Sequence, residues 1–395
     1  MGGALANIDD LLERACTDGV VPGVVALVAD RDGVLYEGTA GRLSIEGDAP
    51  AEADTMFRIA SMTKALTSVA ALQLVEQGKL ALDQNVESAL PEFGALQLLE
   101  GFDGDEPRLR PLSRKPTVQH LLTHTSGQAY WFSNRDLLRW HEVTKAPDPF
   151  TGLRKCLDTP FVAEPGERWE YGVNTAWLGL VVEKVSGQDL ESYLCEHVFE
   201  PLGMTDATFS PTDAQRERLM AVHKRMPDGG LGLSDFDMPT EPELAFGGEG
   251  AYATGGNYTR FLRALLRGGE LDGTRILQPA TVELMFTDHL DGAPLPEIME
   301  SAVPELTNDV PSLPFKQGWG CGLHLLLEDV PDMRRAGSGD WAGLFNSYYW
   351  IDPATGITAA IFTQLLPFFD GRIVEEMLLP FEMGIYAQLG APAAA

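Results

Sequence analysis

A serine and a lysine three positions apart, Ser61 and Lys64 in the run Phe57-Arg-Ile-Ala-Ser-Met-Thr-Lys64, are the first pair in this chain whose chemistry goes beyond packing. On a helix that spacing puts both side chains on one face, about 5–6 Å apart at their Cβ atoms. A serine hydroxyl is a weak nucleophile until its proton is removed, and a lysine desolvated in a cleft either takes that proton or supports a group that does. A helix N-terminus favours negative charge there and leaves the Ser61 N–H free to face a developing oxyanion. Tyr171, in Trp169-Glu-Tyr-Gly-Val-Asn174, lies just ahead of a helical pattern at Thr175 to Val185. A phenol held there beside Lys64 would accept the Ser61 proton and pass it to a leaving group. Gly337-Ser-Gly-Asp-Trp-Ala-Gly343 leads into a strand, and a glycine-bearing edge lets a substrate come close to the backbone. The Leu344 N–H is the expected second oxyanion donor, opposite that of Ser61. Trp341, Ala342 and Gly343, with Tyr130 and Phe345, are the expected walls of a substrate pocket. Lys64 and Tyr171 remain alternative bases, because coupled groups titrate as a unit.

These residues need elements to hold them. Ile8, Leu11, Leu12 and Ala15 have helical spacing, and Val24 to Ala29 followed by Val34 to Thr39 read as a hairpin turning at Asp32-Gly33. The run from Phe57 to Gly78 is apolar almost all round, which marks a buried helix. From about Asp83 to Ser234 the pattern becomes short helices broken by Pro and Gly, such as Val118 to Leu122 and Leu153 to Leu157. After Gly255-Gly256 a helix through Leu266 precedes strand-like runs at Trp319 to Leu327, Phe345 to Ile351 and Thr358 to Gln364, and Ile373 to Leu389 reads as a closing helix. The pattern predicts an α/β (α+β) fold: an antiparallel sheet flanked by helices and interrupted by a mainly helical insertion. The expected units are 1–82 with 240–395 for the sheet and 83–239 for the insertion, with the cleft between them.

Among 395 residues, 58 acidic side chains outnumber 29 basic ones, so the field of the protein repels a phosphate backbone or an anionic membrane and argues against nucleic acid as a partner. The start of the chain carries no basic, then apolar leader pattern, and no window nears the ~18 apolar residues of a membrane span, so a cytoplasmic location is expected. Cys16, Cys156, Cys195 and Cys321 are widely spaced, as free thiols would be. His120 and His124 have the spacing of a metal pair on one helical face, but no glutamate follows the first, and neither a metal nor a cofactor is expected. Gly247-Gly-Glu-Gly-Ala-Tyr-Ala-Thr-Gly-Gly256 lacks the lysine of a phosphate cradle and reads as tight backbone packing at the domain junction. The segment 390–395 is the one expected to be disordered.

Ser-x-x-Lys alone arises by chance about once in such a length. Five stretches surround it with more: Phe57 to Lys64, Leu121-Leu-Thr-His-Thr-Ser-Gly127, Pro165-Gly-Glu-Arg-Trp-Glu-Tyr171, Phe199-Glu-Pro-Leu-Gly-Met204 and Trp350-Ile-Asp-Pro353. In this order they resemble the β-lactamase-like, penicillin-binding-protein superfamily of serine hydrolases: class C β-lactamases, D-Ala-D-Ala peptidases and, most closely, family VIII carboxylesterases. The resemblance covers nearly the whole chain and implies a β-lactamase/transpeptidase-like fold. There are two departures. The family's β-lactamases carry Tyr-x-Asn, whereas Val173 occupies that position and Asn174 comes one residue late; they also carry Lys-Thr-Gly where this chain has Trp341-Ala342-Gly343. Without that lysine no fixed cation holds a substrate carboxylate, and neutral esters are favoured. The resemblance therefore implies a serine carboxylesterase that hydrolyses short- to medium-chain acyl esters through a Ser61 acyl-enzyme. The alternatives are an acyltransferase or a small-amide or β-lactam hydrolase using the same intermediate, and a non-catalytic penicillin-binding-like module.

Overall fold

The computed structural model describes residues 6–389, so the tail at 390–395 lies outside the described residues. A first helix, α1 (Ala6–Thr17), leads into the hairpin β1 (Gly23–Asp30) and β2 (Val34–Gly41). The chain returns to the same sheet near its end with β3 (Gln317–Trp319), β4 (His324–Leu326), β5 (Gly339–Gly343), β6 (Ser347–Asp352) and β7 (Ile357–Phe362). The strand order is β3-β4-β5-β6-β7-β1-β2, antiparallel throughout, with Val25 of β1 opposite Phe362 of β7.

β1 is buried along almost its whole length, and its alternate side chains enter two different cores. Val24, Ala26 and Val28 face α1 and the closing helix α6 (Leu379–Leu389), where Ile8, Leu12, Phe381 and Ile385 pack. Val25 and Leu27 face α2 (Thr63–Glu76) and α5 (Gly255–Leu266), represented by Leu66, Val69, Phe261 and Leu262. A sheet covered on both faces needs apolar residues at every position, which is why this strand reads as a continuous hydrophobic run. The same reasoning holds for α2: every residue from Thr63 to Leu74 is buried, and each fully buried Leu or Val contributes about 1.5–3 kcal/mol. Just beyond the helix end, Gly78 has a φ of 66°, which suits a left-handed cap.

Between the two halves of the sheet lie short helices, including α3 (Val118–Leu122) and the buried α4 (Asn174–Ser186), which packs on α2. Two hairpins occur where only helices were predicted, Leu98–Asp103 with Glu106–Arg110 and His223–Arg225 with Leu231–Leu233. Their strands are short and largely solvent-facing, so they lack the alternation that betrays a half-buried strand. Leu153 to Leu157, read as a helix, contains only a 3-10 turn at Arg154–Leu157. No described helix is long and apolar enough to cross a membrane, and all four cysteines carry free thiols.

Candidate active site

Ser61 sits in a tight turn, Ala60–Met62, that runs directly into α2. Ala60 has φ 44°, a left-handed conformation that costs a non-glycine residue about 1–3 kcal/mol and persists only where its surroundings impose it. Here they do. The Ile59 N–H donates to the Ala251 carbonyl at 3.1 Å, the Ala251 N–H donates to Thr63 Oγ1 at 3.1 Å, and the Tyr258 hydroxyl donates to the Met62 carbonyl at 2.8 Å. From the other side comes β5: a Cβ on Gly343 would lie 2.6 Å from the Ile59 carbonyl oxygen. That glycine therefore serves the approach of strand to nucleophile turn, whereas the sequence suggested an approach of substrate to strand.

The polar centre is compact. Lys64 is only 2% exposed, and its Nζ lies 3.1 Å from Ser61 Oγ, 3.2 Å from the Tyr130 hydroxyl and 2.8 Å from the Gly248 carbonyl. The Tyr171 hydroxyl is 2.6 Å from Ser61 Oγ, and Trp341 Nε1 donates to the same phenol at 3.3 Å. Tyr171 occupies the loop just ahead of α4, held there because the Tyr130 N–H donates to its carbonyl at 2.9 Å. Gly172 makes this possible, since a Cβ would lie 2.2 Å from the Gln128 carbonyl.

Two residues belong to this centre in a way the sequence did not suggest. Tyr130, read there as a pocket wall, bonds to Lys64 and donates to Glu249 Oε2 at 2.9 Å. Glu249, in the stretch read as glycine packing, is 6% exposed. Burial pushes its carboxyl above the usual range despite Lys64, and burial with Glu249 beside it pushes the Tyr130 phenol far above its own. The only available signal was a lone carboxylate between Gly248 and Gly250 in otherwise apolar surroundings.

An apolar cavity, open to solvent, adjoins Ser61. Tyr130, Tyr171, Trp341, Ala342, Gly343 and Leu344 line it, and Phe132, Phe150, Met238 and Phe368 complete apolar walls. Phe345 is not among the lining residues; it is fully buried behind the wall with Ala60 and near Phe236. Ser61 and Leu344, whose amides were read as oxyanion donors, both line this space.

The histidine pair does not share a helix face, because α3 stops at Leu122 and His124 lies beyond it at φ 56°. His120 Nδ1 accepts from the Thr117 N–H at 3.0 Å, while the buried His124 faces the Asn174 side chain at 3.0 Å. Burial, with Lys64 nearby, holds the His124 ring well below its ordinary range and so neutral. Asn174, the late asparagine, is also explained: its amide joins His124, the Gln128 carbonyl and Ser126, away from the nucleophile.

A family model described as beta-lactamase matches residues 8–378. Monacolin J acid methylbutanoyltransferase of Aspergillus terreus is 36% identical over 401 residues, covering 96% of this chain and 95% of the relative. Lovastatin esterase of Penicillium rubens is 32% identical over 405 residues, covering 97% and 99%. Among solved structures, unliganded simvastatin synthase of Aspergillus terreus, in its selenomethionyl form, matches with a TM-score of 0.84 at 32% identity over 98% of both chains.

Proposed function

The chain belongs to the beta-lactamase family and is a serine hydrolase or acyl-transferring enzyme, and from that premise we propose that it moves a short- to medium-chain acyl group from an uncharged ester to an apolar alcohol through a Ser61 acyl-enzyme. One observation carries this reading: Ser61 Oγ lies within hydrogen-bond reach of both Tyr171 and Lys64 at the edge of an apolar cavity. Ser61 Oγ bonds to the acyl carbon while its proton passes to the Tyr171–Lys64 pair. The carbonyl electron pair collects on the oxygen, which faces the Ser61 and Leu344 amides. Collapse breaks the bond to the leaving oxygen, and that oxygen takes the proton from the pair. The acceptor hydroxyl then repeats the sequence in reverse: it gives its proton to the pair, bonds to the acyl carbon and releases Ser61.

Trp341 stands where a β-lactamase of this family has lysine, so the cavity offers an apolar wall in place of a cation for a substrate carboxylate. The relative named as a methylbutanoyltransferase supports acyl transfer as the main outcome. Hydrolysis is the second reading, favoured by the relative named lovastatin esterase, and follows when water takes the acceptor's place.

The test is a panel of p-nitrophenyl esters of rising chain length, with and without an apolar alcohol, beside a chromogenic cephalosporin. We expect Ser61-dependent ester cleavage, an added alcohol converting most of the released acyl group to a new ester. Cephalosporin turnover without ester cleavage overturns the proposal; hydrolysis undiminished by any alcohol overturns transfer and leaves the esterase.

A further inference from the structure

Lys64 Nζ has three oxygen neighbours, on Ser61, Tyr130 and Gly248. An ammonium has three N–H groups to give and nothing with which to accept, so this arrangement suits a protonated lysine. Such a cation, almost fully buried, needs an opposite charge nearby. Glu249 is buried just beyond Tyr130, whose hydroxyl donates to its Oε2 at 2.9 Å, so carboxylate and ammonium share one phenol and lie at most about 6 Å apart. Because Tyr130 gives its only proton to Glu249, its lone pairs are left facing Lys64.

The loop around this carboxylate is built for close approach. A Cβ on Gly248 would lie 3.1 Å from the Tyr130 hydroxyl and 3.7 Å from Lys64 Nζ, and one on Gly250 would lie 3.1 Å from the Phe246 carbonyl. The other carboxylate oxygen, Oε1, is buried with no hydrogen-bond partner among the described residues. Folding gains nothing from an ionisable group left half-satisfied in the interior, which directs attention to the reaction.

We propose that Glu249 is a positioning residue: through Tyr130 it supplies the buried negative charge against which Lys64 keeps its ammonium aimed at Ser61. The inference rests on the acyl-enzyme reading above. The titratable groups around the pair are Lys64 on α2, Tyr130 beyond α3, Tyr171 ahead of α4, the neutral His124, and Cys156, whose thiol burial and then the Glu249 charge push up. None of the others supplies a carboxylate. A negative charge here favours the protonated form of the site, so the acid limb of Ser61 reactivity stands at higher pH with Glu249 than without it.

The experiment measures the rate at which a fluorophosphonate labels the full-length protein from pH 5 to 9, with thermal melting alongside, for the wild type, S61A, E249Q and E249D. Glu249→Gln keeps the shape and removes the charge. It is expected to fold but to melt somewhat below the wild type, because Lys64 loses its counter-charge, and to move the acid limb down by about one to two pH units. Glu249→Asp keeps the charge, and its limb stays beside that of the wild type. An E249Q limb lying on the wild-type limb, an E249Q protein that does not fold, or an E249D limb that moves with that of E249Q overturns the inference alone. Labelling of the wild type no faster than of S61A overturns the acyl-enzyme reading, and the inference with it.

Discussion

Gly343→Ala is the most direct way to ask whether strand β5 holds the nucleophile turn in place. The glycine does not have a left-handed φ, so alanine fits the backbone; the conflict is purely spatial. Its new Cβ would stand 2.6 Å from the Ile59 carbonyl oxygen, and such contacts relax only near 3.4 Å, so β5 and the turn must part by about 0.8 Å. A peptide carbonyl cannot swing aside as a side chain does. Overpacking of this kind costs about 1–3 kcal/mol of stability. A displacement approaching 1 Å at the reacting atom costs about 100-fold in rate. We therefore expect kcat/KM for p-nitrophenyl butyrate to fall about 10- to 100-fold in a protein that still folds. Gly256→Ala is the control: its Cβ meets nothing within 4 Å, the position is inside α5, and the exchange should raise the melting temperature by the equivalent of about 0.5–1 kcal/mol with unchanged activity. A G343A enzyme that acylates at the wild-type rate would refute the coupling of strand and turn.

Other outcomes follow from the same geometry. Tyr171→Phe removes the hydroxyl 2.6 Å from Ser61 and should lower the acylation rate about 10²- to 10⁴-fold with little change in melting temperature, as read by stopped-flow release of p-nitrophenol. Trp341→Phe keeps an aromatic wall but deletes the N–H that donates to Tyr171, and a loss of about 3- to 10-fold in kcat is expected, carried by one hydrogen bond. On β5, one residue before Trp341, burial works against the Asp340 carboxylate, but His324 and Arg334 outweigh it and hold it below its usual range. A carboxylate depressed on folding contributes stability above its unfolded value, near pH 4, and loses it as pH falls through the folded value. Asp340→Asn should accordingly cost about 3 kcal/mol at pH 7, and the gap from the wild type in denaturant melts should close below about pH 4.

The parts of this molecule visible from sequence are those whose environment is uniform along a segment. β1 and α2 are buried on every side, and an unbroken apolar run records that directly. Ser61 and Lys64 were legible because one turn of backbone sets their separation. Tyr171 was legible through the resemblance of its neighbours. What escaped depends on segments far apart in the chain: the Gly248 carbonyl reaches Lys64 across 184 positions, and Glu249 reaches Tyr130 across 119. Nothing local distinguishes a glycine that makes room for substrate from one, like Gly343, that makes room for another strand of the same chain. His120 and His124 keep a helical spacing across a helix end, and backbone geometry shows that the helix stops at Leu122.

The pairing of Val25 with Phe362 also sets a timetable for synthesis. β1 leaves the ribosome early, yet one of its two neighbours in the sheet arrives 337 residues later, roughly 15–70 s at ordinary elongation rates. Through that interval a strand made almost entirely of Val, Ala and Leu has an open edge, the condition that invites association with other nascent chains. The carbonyl clamp on the serine turn arrives late as well, because β5 is made shortly before β7. A growing polypeptide thus carries its nucleophile without the wall that organises it until β5 is made, and competence to take up an acyl group is deferred until the sheet closes.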